Sequence, residues 1–148
     1  MGGGMHRLVL SVIMVFTLVL LCRKAADAGS LSVTVSGLRG TKGFLSVTVW
    51  RSEADFLKDV RLSAARKVLP VTGPEMAVIF ENLPAGVYAV SSFQDENGNG
   101  AIDRSFIGVP TEPSGVSQGA RGVMGPPRFR DAAFELKGSS QNIPIRLR

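Results

Sequence analysis

The residues best suited to chemistry lie on one short acidic loop, which offers an oxygen donor at every second position: Asp95, Asn97, Asn99, Ala101 and Asp103. Ala101 would contribute its backbone carbonyl, and the preceding Gly100 permits a sharp bend. This spacing matches the first nine positions of a calcium-binding loop, in which carboxylate, amide and carbonyl oxygens surround one hard cation. The sequence therefore predicts a calcium site made by these five residues.

The predicted site is incomplete within the loop itself. Phe106 stands at the twelfth position, where a bidentate carboxylate ordinarily completes the shell. The missing ligands must then be water or a carboxylate from elsewhere, and Glu112 and Asp131 are the nearest in sequence. We therefore expect weak binding, with a Kd of roughly 10⁻⁴ to 10⁻³ M. The alternative is a metal-free turn, because Asn-Gly pairs favour turns and Asn and Asp side chains can bond their own loop's backbone.

Few side chains are available for catalysis. The sole histidine, His6, and the sole cysteine, Cys22, both lie near the N-terminus, so the rest of the chain cannot form Ser-His-Asp, Cys-His or zinc centres. Asp95 and Asp103 are a carboxylate pair that a glycosidase uses in principle, but they share one loop without an evident cleft. We predict a protein that is not an enzyme. The alternative is a carboxylate-dependent hydrolase acting on envelope carbohydrate or peptide.

The N-terminal segment has the layout of a secretory signal peptide. Arg7 precedes a charge-free, mainly apolar run over residues 8–22, and small residues follow at positions 26 and 28. The run is shorter than the roughly 20 residues of a membrane-spanning helix. We predict a signal peptide over residues 1–28 with cleavage after Ala28, and therefore a periplasmic or secreted protein. An uncleaved anchor formed by residues 8–22 and lipid attachment at Cys22 are the alternatives, and membrane contact is expected only through this segment if it is retained.

Charge and length limit what the remaining residues 29–148 can be. They suffice for one domain, and no disulfide is available once Cys22 is removed. Residues 1–28 carry three basic residues and one acidic residue, so the formal net charge falls from +5 to +3. The C-terminal arginines are scattered singly and lack the interleaved aromatic residues of a nucleic-acid surface. We expect no nucleic-acid partner.

Hydrophobic periodicity indicates a mainly β domain. Apolar and polar residues alternate over short stretches that are bounded by turn residues. Seven strands are predicted, at residues 31–36, 44–50, 61–71, 76–81, 87–93, 132–136 and 143–147. We expect the first and second strands to form a hairpin, the third to be an edge strand, and the fourth and fifth to pair through a tight turn. Residues 51–59 favour a short helix or loop. The predicted fold is a single antiparallel β-sandwich of about seven strands, after an N-terminal signal helix.

Several ordered motifs carry a resemblance to a known family: FENLPAGVYAV at 80–90, FQDENGNG at 93–100, GVPTE at 108–112, GPPRF at 125–129 and DAAF at 131–134. Together they resemble the bacterial family called domain of unknown function 2141, over residues 31–147. The resemblance implies an exported β-sandwich of the immunoglobulin-like or transthyretin-like kind, with no established activity. This chain departs from the family pattern at Gln94, where histidine is common, and at residues 119–122, where an asparagine-containing stretch is common.

These observations together predict an exported, non-catalytic binding or structural module of the cell envelope. Its partner, an envelope or extracellular molecule, is not specified by the sequence. The 95–103 loop would stiffen one end of the sandwich, and the long Gly- and Pro-rich segment that follows would be presented to the partner, because long loops in small domains are commonly functional.

Overall fold

The computed structural model describes residues 28–148, so all of the predicted signal peptide except Ala28 lies outside the described residues. This part of the chain forms eight β-strands and one short helix: β1 Ala28–Ser36, β2 Phe44–Trp50, β3 Ala65–Pro70, β4 Glu75–Pro84, β5 Gly86–Asp95, β6 Ser114–Val116, α1 Phe129–Ala132, β7 Phe134–Leu136 and β8 Gln141–Arg146. Two single 3₁₀ turns, Val60–Leu62 and Ser117–Gly119, complete the regular structure. Within residues 28–148, no helix has the length and apolar character needed to cross a membrane.

The strands form two sheets, consistent with a β-sandwich. The three-stranded sheet has the order β4-β1-β8, and the five-stranded sheet has the order β3-β2-β5-β6, with β7 also paired to β5. The mainly β prediction is therefore confirmed, as is the edge position of β3. The count of eight strands is close to the predicted seven, and residues 114–116 supply the additional short strand. One detail of the predicted fold is wrong: the sandwich is not wholly antiparallel, because β1 and β8 run parallel.

The predicted hairpin of β1 and β2 is wrong, since these strands lie in different sheets. Residues 37–43 lead the chain across the end of the sandwich, and Leu38 within them is buried in the core. Glycines allow this crossing to pack tightly. Gly37 and Gly43 have φ values of 83° and 77°, and a Cβ on Gly43 would lie 2.0 Å from the carbonyl oxygen of Asp95. An alternating strand followed by a glycine-rich turn thus connects two sheets here rather than neighbouring strands.

β4 and β5 likewise lie in different sheets. β4 pairs with β1 and β5 pairs with β2, so the predicted pairing of β4 with β5 is wrong. Pro84 stands at the crossing point and lacks the N–H that a continuing ladder requires. The Tyr88 hydroxyl donates to the Pro84 carbonyl at 2.8 Å and fixes the bend. In the tail, residues predicted as one strand from 132 divide between α1 and β7.

The main core lies between the two sheets. Alternate residues of β1 and β2 face it with no exposed surface: Leu31, Val33, Val35, Leu45, Val47 and Val49. Because these two strands face one another across the sandwich, each contributes one buried face to the same cluster. Burial of this kind is the principal stabilising term of a domain without disulfides.

A second, smaller core lies on the outer face of the five-stranded sheet. Trp50 and Phe56 pack edge to face, with ring centroids 6.0 Å apart, and Phe56 packs similarly on Phe129 of α1. The Trp50 indole N–H donates to the Ser91 hydroxyl at 2.8 Å. This cluster explains why β2 is buried on both faces and holds the segment after β6 against the sheet.

Candidate functional site

The 95–103 loop begins at the last residue of β5, opposite Phe44 of β2, at one end of the sandwich. The Asp95 side chain is 4% exposed and turns back into the loop. Its Oδ1 accepts hydrogen bonds from the backbone N–H groups of Gly98 and Asn99, and its Oδ2 accepts from that of Gly100, at 2.7 to 3.1 Å. One buried carboxylate therefore fixes the backbone of the whole first half of the loop.

The second half of the loop closes on Asp103. The Nδ2 groups of Asn97 and Asn99 donate to the two carboxylate oxygens of Asp103, at 2.7 and 2.8 Å. The amide oxygens of the same two asparagines accept backbone N–H bonds from Asn99 and Ala101 respectively. The side chains of Asn97, Asn99 and Asp103 thus meet through direct hydrogen bonds. Asp95 contacts the same loop through the loop's backbone N–H groups, and Ala101 is tied to Asn99 through its own N–H.

A carboxylate from outside the loop holds its two ends together. Glu112 is 5% exposed, its Oε1 accepts from the Glu96 N–H at 2.8 Å, and its Oε2 accepts from the Asp103 N–H at 3.0 Å. Sequence reasoning named Glu112 only as one of the two nearest carboxylates. The structure brings it to the loop as a brace on the backbone, whereas Asp131 pairs with Arg128 at 2.8 Å and does not join the loop.

Gln94 positions the start of the loop from inside the sandwich. It has no exposed surface, and its Oε1 accepts the Arg39 N–H at 2.7 Å. Its Nε2 donates to the carbonyls of Arg39 and Lys42, at 2.9 and 2.8 Å. All of these bonds go to the backbone of the 37–43 crossing. Gln94 therefore links the end of β5 to the 37–43 crossing at this end of the sandwich.

The loop also contacts the edge of the five-stranded sheet. Arg66 of β3 donates to the Gly100 carbonyl at 3.4 Å and to the Ser46 hydroxyl at 3.1 Å. Arg39 lies 4.0 Å from the Glu96 carboxylate. Within residues 28–148, no three acidic, histidine or cysteine side chains gather in a way that could hold a metal ion. Any cation in the loop would depend on Asp95 and Asp103 together with amide and carbonyl oxygens.

The two sheets, the loop closed by Asp95 and Asp103, and the long segment after it define a small, mainly β domain with one oxygen-rich loop. A family model described as an uncharacterized protein conserved in bacteria (DUF2141) matches residues 33–144. The chain belongs to this family, as the motifs in its sequence indicate. Comparison with curated proteins gives no significant match, and comparison with solved structures gives none either.

Proposed function

We propose that this chain is an exported, non-catalytic module of the cell envelope that binds a partner, and that its 95–103 loop takes up calcium weakly. The sandwich is of the immunoglobulin-like or transthyretin-like kind. The observation that carries the proposal is the arrangement of oxygen-bearing side chains in the loop. Asn97 and Asn99 both bond Asp103, Asp95 accepts backbone N–H groups of the first half, and Glu112 joins the two ends. A loop already bent around its oxygen atoms loses less conformational freedom on binding an ion.

Calcium binding changes specific hydrogen bonds in this loop. The Asn97 and Asn99 amides now donate their N–H groups to Asp103, so their oxygens must turn toward the ion as it enters. The Asp103 carboxylate is thereby released and becomes a ligand. Loss of these two hydrogen bonds offsets part of the binding energy, which agrees with weak affinity. The ion, once bound, joins the two halves of the loop.

Export is supported by the signal-like layout of residues 1–28. β1 begins at Ala28, so cleavage after that residue leaves Gly29 to Ser36 of the strand in place. The test is the N-terminal mass of the protein after expression in a bacterial host. A mature N-terminus at Gly29 in the periplasm or medium supports export, and an intact Met1 in the cytoplasm contradicts it.

The non-catalytic role is supported by how the carboxylates are used. Asp95 and Glu112 are buried and accept backbone N–H bonds with both oxygens, so neither of these two carboxylates is poised toward solvent as a general acid or base. A shallow depression of about 290 Å³ lies at the opposite end of the sandwich, where Glu81 is the sole titratable side chain among its lining residues. Hydrolysis of envelope carbohydrate or peptide by the purified protein, lost in Asp103→Asn, would support the alternative.

The calcium proposal is tested by thermal unfolding with and without calcium. Binding to the native state must stabilise it, by about 1.4 kcal/mol when free calcium is roughly ten times Kd. Asp103→Asn keeps the size of the side chain and should abolish the rise in Tm, while Asp131→Asn, outside the loop, should retain it. An unchanged Tm of the wild-type protein at a free calcium concentration several times the expected Kd contradicts the calcium proposal.

A further inference from the structure

Two tight turns between β5 and β7 carry large apolar side chains where turns ordinarily carry small or polar ones. The first turn, residues 105–108, is closed by the Gly108 N–H donating to the Ser105 carbonyl at 2.8 Å. Its two central residues, Phe106 and Ile107, are 100% and 70% exposed, and Val109 just beyond is 54% exposed. Burial of apolar surface is favourable, so such a tip indicates a surface that something else covers.

The second turn, a bend over residues 122–125, also carries large apolar side chains at its centre. Its backbone is folded so closely that a Cβ on Gly122 would overlap the Gly125 carbonyl oxygen, at 1.6 Å. The central residues, Val123 and Met124, are 99% and 100% exposed. Two separate turns in one stretch of chain therefore present an adjacent pair of apolar side chains at their tips.

The first turn is held by hydrogen bonds on both sides. The Ser105 N–H donates to the Val109 carbonyl at 2.8 Å, and the Arg104 guanidinium donates to the Gly108 carbonyl at 3.0 Å. At its base, the Thr111 N–H donates to the Asp103 carbonyl at 2.9 Å. The tip is thus the end of a small hairpin, and a preformed hairpin loses little conformational entropy when it binds.

The same stretch carries the net charge of the described residues. Residues 104–130 contain four arginines and one acidic residue, Glu112, whose carboxylate is buried. The other described residues contain ten basic and ten acidic side chains. Arg104 adjoins the first apolar tip, and Arg121 adjoins the second. Apolar tips flanked by cations are the pattern that favours a surface with a hydrocarbon interior and anionic headgroups.

We propose that these two tips insert into the surface of a membrane that contains anionic lipid. Phe106, Val123 and Met124 are almost fully exposed, which suits insertion between headgroups, and an aromatic residue such as Phe106 gains by burial at the interface. The arginines remain at headgroup level. This inference rests on the binding role proposed above and names the partner as a lipid surface, distinct from any contact made by residues 8–22.

The experiment uses the full chain with Phe106→Trp and vesicles of phosphatidylglycerol and phosphatidylcholine in equal parts. The wild-type chain has one tryptophan, the buried Trp50, and supplies the background emission. We expect a blue shift of the added tryptophan and loss of most of its emission when the vesicles carry brominated acyl chains. Arg104→Gln should lower partitioning about fivefold, and pure phosphatidylcholine should give less insertion.

The matched control is Leu62→Trp, because Leu62 is also an exposed apolar residue, at 59%, but lies on a 3₁₀ turn outside this stretch. Residues 8–22, where retained, attach every variant to vesicles equally, so the comparison reports on the tips. An equal shift at both positions, or no shift at position 106, overturns the proposal. If the emission of the tryptophan at position 106 shifts on addition of a second protein but not of vesicles, the lipid proposal is also overturned and the partner is a protein.

Failure of this inference is distinguishable from failure of the proposed calcium role. The same samples are melted with and without calcium. Tip insertion without a calcium-dependent rise in Tm supports the lipid inference and contradicts the calcium proposal. A calcium-dependent rise in Tm without tip insertion supports the calcium proposal and overturns the lipid inference.

Discussion

Gln94 and Arg39 form a closed pair of hydrogen bonds, in which the Arg39 N–H donates to Gln94 Oε1 at 2.7 Å and Gln94 Nε2 donates to the Arg39 carbonyl at 2.9 Å. Arg39 belongs to the connection before β2, whereas Gln94 is the next-to-last residue of β5. A side-chain amide here satisfies a donor and an acceptor at once, as a neighbouring strand would. The crossing of residues 37–43 and the start of the 95–103 loop are therefore held as one unit.

Replacement of Gln94 by leucine should destabilise the protein. Leucine has a similar size but leaves the Arg39 N–H and the Arg39 and Lys42 carbonyls without their partner, and an unsatisfied buried group costs about 1–3 kcal/mol. Urea denaturation should show a lower midpoint with an unchanged m value. The control is Gln141→Leu, at a half-buried position of β8, which should remain within about 0.5 kcal/mol of wild type. Equal stability of Gln94→Leu and wild type would contradict the role assigned to this amide.

Glu112→Gln should loosen the 95–103 loop. The amide keeps the size of the side chain but turns an N–H₂ group toward one of the two backbone N–H donors, from Glu96 or Asp103. A hydrogen bond to a charged group contributes about 1.5–3 kcal/mol, so we expect a loss of that size in the free energy of unfolding.

The local effect of Glu112→Gln is measured by amide hydrogen exchange at Asp103 and Glu96, which should become faster. Glu81→Gln, on an exposed position of β4, is the matched control and should leave both rates unchanged. Faster exchange throughout the sandwich with no excess at these two amides would argue against a brace specific to the loop.

Phe56→Ala should destabilise the protein much more than Phe106→Ala, because Phe56 is buried and Phe106 is exposed. Phe56 is 7% exposed and packs edge to face on Trp50 and Phe129, so its truncation should cost about 3 kcal/mol. The emission of Trp50 should shift to the red as water reaches it. Phe106→Ala removes the same atoms from a fully exposed site and should change stability by no more than about 0.5 kcal/mol. Similar losses in the two variants would contradict the described packing.

Asp59 should stabilise the folded protein at neutral pH and lose this contribution in acid. Hydrogen bonds from the Arg61 side chain and backbone lower the pKa of Asp59 from 3.8 to about 2. A carboxyl whose pKa is lower in the folded state stabilises the protein above the unfolded pKa, and this contribution is lost as pH falls from about 4 to 2. Arg61→Ala should raise the pKa of Asp59 in an NMR titration. Arg51→Ala, whose guanidinium lies over Tyr88, should not, and an unmoved pKa in Arg61→Ala would disprove the assignment.

The sequence predicts most strands of this fold because alternation is a local property. Leu31, Val33 and Val35 face the core as their period of two requires. Pairing is not local. A glycine-rich connection after β1 fits a hairpin and a crossing between sheets equally well, and the choice depends on where Leu38 and Gln94 are buried. The parallel pairing of β1 with β8 has no local signal, since no turn connects them.

The candidate site was predicted in part for the same reason. The positions of the candidate ligands follow from spacing along a few residues, and the structure brings the side chains of Asn97, Asn99 and Asp103 together. The role of Glu112 depends on the path of residues 104–111, which form a hairpin that returns to the loop. A single acidic residue within a Gly- and Pro-rich stretch carries no signal of that return. Whether calcium occupies the loop stays a prediction.

The central place of β1 in its sheet determines the order in which the domain can fold. β1 lies between β4 and β8, and its residue Leu31 pairs with Gln141, more than a hundred positions later. One of the two hydrogen-bonding edges of β1 therefore has no partner strand until nearly the whole chain has been synthesised. Contacts between such distant residues slow folding, because a long loop must close before any pairing energy is gained. We expect a slow-folding domain in which loss of the last few residues, as in a truncation after position 140, prevents the native sandwich from forming at all.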